Sequence, residues 1–414
     1  MNMKHGYFFL FILLIACADS SSRRGTLTQN DQESESAEML IAKPVVNVYV
    51  ENSGSMDGYV KGITDFEQAV YNYLTDLQIS DIADTLQLFY INSQIIPQQA
   101  NLTDFIENLE PQTFRARGGN RESTDIAQLL QMVLSETNDS TVAIFVSDCI
   151  FSPGRGKNAG QYLVNQQIAI KSIFSEKLKQ QDLAVIVYQL SSQFAGYYYN
   201  RENCAVAIND RRPFYIWLLG NPKYLSQMQT NIPATKFKGS GVQQVFSLTT
   251  GNQTVNYAIR LGSGDFKLDK QHPKTHITQA KKSTHHKNAG KFAFSVDADF
   301  SSFLLDDAYL KDTVHYRLND TDFQISLSNS PHHSPYVTAL NFASPIIKKS
   351  VLSVRLLMQV PEWTTQMNDN EGLDIFAPDA MRKTFGIKYL IDGVFEAYTR
   401  KTDYYTDIRI SINK

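Results

Sequence analysis

The chain has 414 residues and a formal net charge of −3 at pH 7, and 43% of its residues are hydrophobic and 20% charged. This length suggests about two or three domains, and the composition is that of an ordinary folded protein with enough apolar residues for a core. Because the charge is close to neutral, nothing supports a nucleic acid as a partner, and we expect none.

Residues 1–17 have the pattern of a secretion signal. Lys4 and His5 precede the apolar run YFFLFILLIA, which is too short for a comfortable membrane span. The run leads into Leu-Ile-Ala-Cys ending at Cys17, which resembles a bacterial lipobox. The resemblance implies that Cys17 is lipidated and anchors the chain to a membrane of the cell envelope, on a side that the sequence leaves open. An uncleaved anchor and an ordinary signal peptide are the alternatives.

Residues 18–43 are polar and contain few large apolar side chains. Such a segment cannot bury enough surface to fold, so we expect a flexible tether between the membrane and the folded body.

Residues 44–235 alternate between strand and helix patterns. The strand patterns are apolar and rich in β-branched residues, and they cover 45–50, 86–91, 142–147, 183–190 and 214–220, with an edge strand at Pro97. One helix pattern begins at the capping box Thr64-x-x-Glu67. Further helix patterns cover 102–109, 124–134, 162–178 and a segment from Pro222. This alternation predicts an α/β domain with a doubly wound, mostly parallel sheet. Ligands bind such sheets at the carboxyl ends of the strands, where the strand order reverses.

Residues 240–414 contain strand patterns with almost no helices between them, which predicts a mainly antiparallel β-sandwich domain. One exception, 385–398, has apolar residues at helical spacing. The polar segment 267–287 is strongly basic and indicates an exposed, solvated loop, with an anionic partner as the less favoured interpretation.

The stretch ENSGSM places Glu51, Ser53 and Ser55 at the carboxyl end of the first predicted strand. Carboxylate and hydroxyl oxygens suit Mg²⁺, Mn²⁺ or Ca²⁺ rather than zinc. Neutral hydroxyls would leave such an ion with positive charge, so it would seek an anionic ligand from outside. The alternative is that the serines only satisfy backbone groups in a turn.

These residues resemble the metal-ion-dependent adhesion motif of von Willebrand factor type A (VWA) domains, which is usually Asp-x-Ser-x-Ser. The family pattern adds a threonine at the start of a later helix and an aspartate at the end of the fourth strand, and GGNRESTD and IFVSD supply them in order. The resemblance implies that a partner protein offers a carboxylate to a divalent cation. The implied ligands, direct or through water, are Glu51, Ser53, Ser55, Thr124 and Asp148.

Two features depart from the family pattern. Glu51 stands where aspartate is usual, and its extra methylene moves the carboxylate outward. The extended carboxylate either replaces a bridging water or spoils the site. Residues 191–212, after the fifth strand, do not have the pattern of the crossover helix. We expect an inserted hairpin or loop whose tyrosines form part of a binding rim; these are Tyr197, Tyr198 and Tyr199. Thr124 has the simpler interpretation of a helix N-cap, and Asp148 that of a turn residue.

Two cysteines, Cys149 and Cys204, remain beside Cys17. An exported protein lives in an oxidising compartment, and Cys204 lies beyond the fifth strand, which we expect to neighbour the fourth. A disulfide across the rim of the site is one outcome, and two free buried thiols are the other.

The sequence therefore predicts a lipid-anchored envelope protein whose VWA-like domain binds a protein through a divalent cation. The alternative is a structural scaffold of an envelope complex with a degenerate, metal-free site. No nucleophile elbow or zinc-binding helix is visible in the sequence, and we expect no enzyme.

Overall fold

The computed structural model describes residues 43–122, 125–284, 288–330 and 337–414. The predicted signal peptide with Cys17, nearly all of the tether, and Thr124 lie outside these residues. Within the described part of the chain, no helix is long and apolar enough to cross a membrane.

The first half of the fold is built on a mixed seven-stranded sheet with the order β3-β2-β1-β4-β6-β5-β7. Its strands are β1 (Val45–Glu51), β2 (Thr85–Ile91), β3 (Ile95–Gln98), β4 (Thr141–Ser147), β5 (Ala184–Tyr199), β6 (Ala205–Gly220) and β7 (Gln244–Leu248). β1 pairs in parallel with both β2 and β4, so the strand order reverses beside β1, as predicted. β4 and β5 are both antiparallel to β6, so β5 runs in the same direction as β4 and therefore as β1 and β2. The edge position of β3, which contains Pro97, is also confirmed.

Helices flank this sheet, and all of them except the third lie where the sequence predicts helices. They are α1 (Asp65–Ile79), α2 (Leu102–Glu107), α3 (Pro111–Ala116), α4 (Ile126–Ser135), α5 (Ala159–Gln180) and α6 (Pro222–Asn231). Thr64 caps α1 as expected, since its hydroxyl accepts the Glu67 N–H at 3.3 Å. The N-cap of α4 is Asp125, whose carboxylate accepts the Gln128 N–H at 3.2 Å, so the predicted start at residue 124 is corrected.

A long hairpin interrupts the parallel order. β5 and β6 have 16 residues each and pair along their whole length, from Ala184 opposite Gly220 to Tyr199 opposite Ala205. Strands joined by a short turn must be antiparallel. β6 therefore runs back between β5 and β4. The expectation that the fifth strand neighbours the fourth is wrong. The hairpin predicted for residues 191–212 is confirmed.

The remaining elements are mostly strands, with one substantial helix. The strands are β8 (Tyr257–Ile259), β9 (Lys267–Leu268), β10 (His276–Thr278), β11 (Phe292–Asp299), β12 (Tyr316–Leu318), β13 (Gln324–Asn329), β14 (Val337–Ser344), β15 (Ser350–Leu357), β16 (Asn368–Asp369), β17 (Thr384–Phe385) and β18 (Tyr404–Ile412), and the helices are α7 (Asp307–Lys311), α8 (Trp363–Gln366) and α9 (Ile387–Tyr398). They form sheets in the orders β12-β15-β18-β10-β9, β13-β14-β11-β8 and β16-β17. Most pairs are antiparallel; β10–β18 and β16–β17 are parallel. The helix predicted at 385–398 is confirmed as α9.

The two halves of the fold are in direct contact. β7 completes the seven-stranded sheet by pairing with β5, and α9 packs on α5. Glu396 of α9 accepts hydrogen bonds from Gln167 at 2.6 Å and Lys171 at 2.8 Å, both on α5. Residues 42–414 form one compact unit by their contacts. That the chain divides between residues 235 and 240 into two separately folding domains stays a prediction.

We predict that Gly393→Ala in α9 destabilises the whole body. A Cβ at Gly393 would lie 2.7 Å from the Gln167 carbonyl oxygen, so α9 and α5 would have to move apart. We expect a loss of about 1–3 kcal/mol in the free energy of unfolding, with a single transition in urea denaturation followed by circular dichroism.

Gly160→Ala in α5 is the matched control, because the nearest atom to its new Cβ lies at 3.5 Å, an ordinary contact. It should leave stability unchanged or slightly higher. Two transitions, of which Gly393→Ala shifts only one, would contradict the expectation and support two independently folding domains.

Candidate functional site

The loop after β1 is a 3₁₀ turn, Gly54–Gly58, with Ser53 at its N-cap. Arg121 holds the loop, because its Nε donates to the Asn52 carbonyl at 2.6 Å and its Nη2 to the Ser53 carbonyl at 3.1 Å. Asp57, at the far end of the turn, forms ion pairs with Arg121 and, at 3.2 Å, with Arg115. Met56 is fully buried between these polar contacts. The backbone of the loop is therefore fixed from both sides.

Two predicted hydroxyls meet in this loop. The Oγ atoms of Ser53 and Ser55 lie 3.0 Å apart. Ser53 is buried, Ser55 is partly exposed, and both line the same cavity. Alternate positions in the turn thus direct two oxygen donors to one point, as the sequence predicted.

The end of β4 meets the end of β1. The register pairs Val50 with Val146, so Ser147 lies beside Glu51 and its hydroxyl donates to Glu51 Oε2. The same Ser147 oxygen accepts the Cys149 N–H at 2.8 Å, and Asp148 Oδ1 accepts the Ile150 N–H at 3.1 Å. These bonds turn the chain sharply at Cys149, whose φ is 55°.

Asp148 is a buried carboxylate with an unused oxygen. The residue is 2% exposed, and its Oδ2 accepts no hydrogen bond from the described residues. Burial raises the pKa of Asp148, while the nearby Ser55 hydroxyl, the Ile150 N–H and the positive charge of Arg212 act to lower it. One oxygen of this buried carboxylate, Oδ2, thus remains open to a further partner, and a bound cation would provide one.

Arg212 of β6 lies beneath the site and is 2% exposed. Its Nη1 donates to the carbonyls of Ala380 at 3.0 Å and Met381 at 3.1 Å, and its guanidinium carbon lies 4.9 Å from the centre of the Tyr198 ring. The hydrogen bonds of this buried cation thus go to carbonyls, and its charge still acts on Asp148.

A cavity of about 430 Å³ opens above the serine loop. Glu51, Ser53 and Ser55 line one side of it, and Tyr197 and Tyr199 of the hairpin line another. The hairpin lies tightly on the loop, since a Cβ at Gly58 would be 2.4 Å from the Phe194 ring. Only glycine allows this approach, so residue 58 sets how close the cavity wall lies to the hydroxyls.

The structure brings four of the five predicted ligands together. Glu51, Ser53 and Ser55 line the cavity, and Asp148 adjoins them from the end of β4. Thr124 lies outside the described residues, which contain no group of three or more His, Cys, Asp and Glu side chains able to hold a metal. Hydroxyls would therefore have to supply part of any coordination shell. The roles of these residues as metal ligands stay a prediction.

The three tyrosines of the hairpin do not act alike. Tyr197 and Tyr199 line the cavity, but Tyr198 is buried against Arg212. Successive residues of a strand point to opposite faces, so three consecutive tyrosines cannot share one rim. The expectation for Tyr198 is therefore wrong.

The disulfide between Cys149 and Cys204 is not formed, and both residues are free thiols. Cys149 is fully buried under the loop, and burial raises its pKa. Cys204 lies in the turn of the hairpin, where its Sγ is 3.9 Å from Arg155 Nη2. Of the two outcomes that the sequence left open, the free thiols are observed, although Cys204 is only partly buried. The premise that the fifth strand neighbours the fourth is wrong, because β6 separates β5 from β4.

Sequence reasoning missed the arginines of the site. Arg115 and Arg121 come from the segment FRARGGNRE that precedes Thr124, and Arg212 from NDRRP. The clustering of cations just before a predicted ligand was an available signal for the first two. Nothing in the sequence marked Arg212 as buried.

Comparisons with protein-family models, with curated proteins and with solved structures find no match for this chain. The likeness to VWA domains therefore depends on the residues of the chain itself.

We predict that Asp148→Asn stabilises the metal-free protein at pH 7, by about 1–2 kcal/mol, because it removes a buried charge with an unpaired oxygen. A raised pKa means that the folded state binds the proton more tightly than the unfolded state, so wild-type stability falls as the pH rises through that pKa. The advantage of the variant should therefore shrink as the pH is lowered towards 3.8, the ordinary pKa of this carboxyl.

Urea denaturation in EDTA between pH 4 and 7 measures the stabilisation by the variant and its dependence on pH. A variant that is less stable at every pH would show that the pairing with Arg212 dominates.

Proposed function

We propose that this chain is a lipid-anchored envelope protein whose VWA-type domain binds a protein partner through a divalent cation at the serine loop. One observation carries the proposal. The Ser53 and Ser55 hydroxyls lie 3.0 Å apart at the strand end that adjoins the unpartnered Oδ2 of Asp148. Such an arrangement places two hydroxyl oxygens near a carboxylate oxygen that accepts no hydrogen bond.

The donor set fits a hard cation. Hydroxyl and carboxylate oxygens are the ligands that Mg²⁺, Mn²⁺ and Ca²⁺ take. Ser53, Ser55 and Asp148 would hold the ion, with Glu51 and Thr124 completing the set that the resemblance implies. A bound cation would supply a positive point at the floor of the cavity, where a carboxylate of the partner is attracted.

The charge of the cavity supports a bound cation. Glu51, Asp57 and Glu122 line it together with Arg115 and Arg121, both of which pair with Asp57, so the lining carries more negative than positive charge. A cation at the serine loop would offset this excess and attract a carboxylate of the partner into a space of about 430 Å³, where Tyr197 and Tyr199 offer aromatic surface.

The topology supports a VWA-type domain in part. The order β3-β2-β1-β4 begins as in doubly wound folds, with the candidate site at the carboxyl end of β1 where the order reverses. The antiparallel β6 departs from that pattern. The VWA assignment and the sandwich arrangement of the β-rich half therefore belong to the proposal.

A metal-free scaffold is the second candidate, and one observation favours it. Glu51 Oε2 already accepts the hydrogen bond of Ser147, and Arg121 fixes the loop backbone without any ion. A loop that is held in this way keeps its conformation when empty, and it could serve as a rigid contact surface for an envelope complex.

We predict that residues 42–414 bind Mg²⁺ or Mn²⁺ and that Ser53→Ala weakens the affinity at least tenfold, because one oxygen donor is lost. Isothermal titration calorimetry measures the affinity. Ser152→Ala is the matched control, since Ser152 lines the same cavity but is not among the proposed ligands, and its affinity should equal that of wild type. Absence of binding by the wild type defeats the metal proposal.

Glu51→Asp separates the two candidates. If the wild type binds the cation, the shorter side chain should change the affinity by no more than about tenfold, because a water can bridge the gap between the shorter carboxylate and the ion. The same titration gives the answer. Affinity that is present only in the Asp variant would identify a degenerate site and favour the scaffold.

A further inference from the structure

One face of the five-stranded sheet carries a row of arginines. The register places Arg317 of β12 opposite Arg355 of β15, and Arg355 opposite Asp407 of β18. Arg409 of β18 lies opposite Ser353 of β15, two residues along the same strands. Residues that are paired across strands, or that are two apart along one strand, project from the same face. The three arginines therefore share one side of the sheet.

The same face continues to the other edge of the sheet. Ser411, two residues after Arg409, pairs with His276 of β10, and Thr278 pairs with Lys267 of β9. We call the resulting surface the basic sheet face. Its charged or titratable strand residues are Arg317, Arg355, Asp407, Arg409, His276 and Lys267.

The opposite side of these strands is core. Leu352, Val354, Ile408 and Ile410 alternate with the residues of the basic sheet face and are at most 1% exposed. The arginine side chains, in contrast, are 49% exposed at Arg317, 39% at Arg355 and 65% at Arg409. The alternation thus separates an apolar face from a solvent-facing cationic one.

Two carboxylates contact the arginines without neutralising them. Asp407, only 7% exposed, forms ion pairs with Arg355 at 3.5 Å and Arg409 at 3.0 Å and accepts the Ser353 hydroxyl. Asp403, just before β18, pairs with Arg317 at 2.7 Å. Three arginines and Lys267 thus face two carboxylates, and the excess charge is positive.

The arginines also enclose a space. A cavity of about 380 Å³ lies between them, lined as well by Asn319, Val351 and Ser353. Arg317 and Arg355 stand directly opposite each other, and like charges in that position repel. An anionic group between them would relieve the repulsion, and guanidinium forks match the oxygens of a phosphate group.

We propose that the basic sheet face binds the phosphate groups of anionic phospholipids, in the membrane to which the predicted lipid anchor tethers the chain. The proposal uses that anchor and does not require the metal site. The tether predicted for residues 18–43 would span roughly 28 Å as a random coil, which would keep the folded body close to the lipid surface. The loops beside β9 and β10 carry four further exposed lysines together with Asp265 and Asp269; the lysines are Lys270, Lys274, Lys281 and Lys282.

The membrane orients the body through this face. Each basic residue near an anionic leaflet strengthens binding by about fivefold, and the interaction is lost at high salt. The half-exposed Val351 in the middle of the face adds apolar contact at the headgroup level.

Co-sedimentation of residues 42–414, which form one compact unit, with lipid vesicles tests the proposal. Vesicles of equal parts phosphatidylglycerol and phosphatidylcholine are compared with phosphatidylcholine alone, in EDTA so that no cation at the serine loop contributes. We expect binding only to the anionic vesicles. The triple variant Arg317→Gln, Arg355→Gln, Arg409→Gln should bind roughly 100-fold more weakly, and Arg409→Gln alone about fivefold.

The matched control is Lys43→Gln, Lys179→Gln, Lys311→Gln. These side chains are 43%, 53% and 45% exposed and each pairs with one carboxylate, so the variant loses the same charge and the same number of ion pairs. It should bind like the wild type, and circular dichroism checks that both triple variants are folded. Because Arg409 is the most exposed of the three arginines, Arg409→Gln serves as the test if the triple variant does not fold.

Two results would overturn the proposal. The first is no binding of the wild type to anionic vesicles; if the protein then still binds inorganic phosphate in calorimetry, the face is a site for free phosphate. The second is an equal loss in the lysine control. Both leave the metal titrations unaffected.

Discussion

The parallel pairing of β1 with β4 is the constraint on which the candidate site depends. It places Glu51 beside Ser147 and brings Asp148 next to the serine loop, although almost a hundred residues separate them in sequence. Side chains from different segments can share a site only where strand ends lie side by side, and the reversal of strand order beside β1 leaves this point uncovered by a crossover. Arg121 then fixes the loop that carries the hydroxyls.

The β-rich half of the chain supports this site from below. Arg212 of the hairpin donates to the carbonyls of Ala380 and Met381, and Tyr215 donates to the Thr384 hydroxyl at 3.0 Å. At the tip of the hairpin, the Arg201 guanidinium group contacts both the side-chain carboxylate and the backbone carbonyl of Glu371. The long hairpin is thus held at its base and its tip by one C-terminal segment, which explains how 16-residue strands can extend beyond the sheet without other partners on that side.

Sequence patterns predicted the elements that local rules determine. The apolar runs of β1 and β4 are buried strands, and the Thr64 capping box marks the start of α1. The convergence of Ser53, Ser55 and Asp148 followed from the position of these residues at strand ends. Long-range pairing could not be predicted in the same way. No local pattern shows that β7, after residue 240, joins the first sheet, or that β6 inserts between β5 and β4.

The misjudged residues all involve the hairpin. The disulfide depended on what lies beside β5, where β6 takes the place expected for β4, and the role of Tyr198 depended on which face of the hairpin its side chain occupies. The burial of Arg212 could not be predicted, because its partners are carbonyls from residues 380 and 381, far along the chain. Sequence reasoning is strongest where function depends on strand ends and weakest where an insertion brings a distant segment to the site.

The anchoring of Arg212 has a consequence for communication within the molecule. The turn at Ala380–Met381 and the cavity wall both depend on the hairpin, because the guanidinium group that holds the turn also stacks on Tyr198, between the two tyrosines that line the cavity wall. A change in the turn that displaced Arg212 would therefore also disturb the strand that carries Tyr197 and Tyr199.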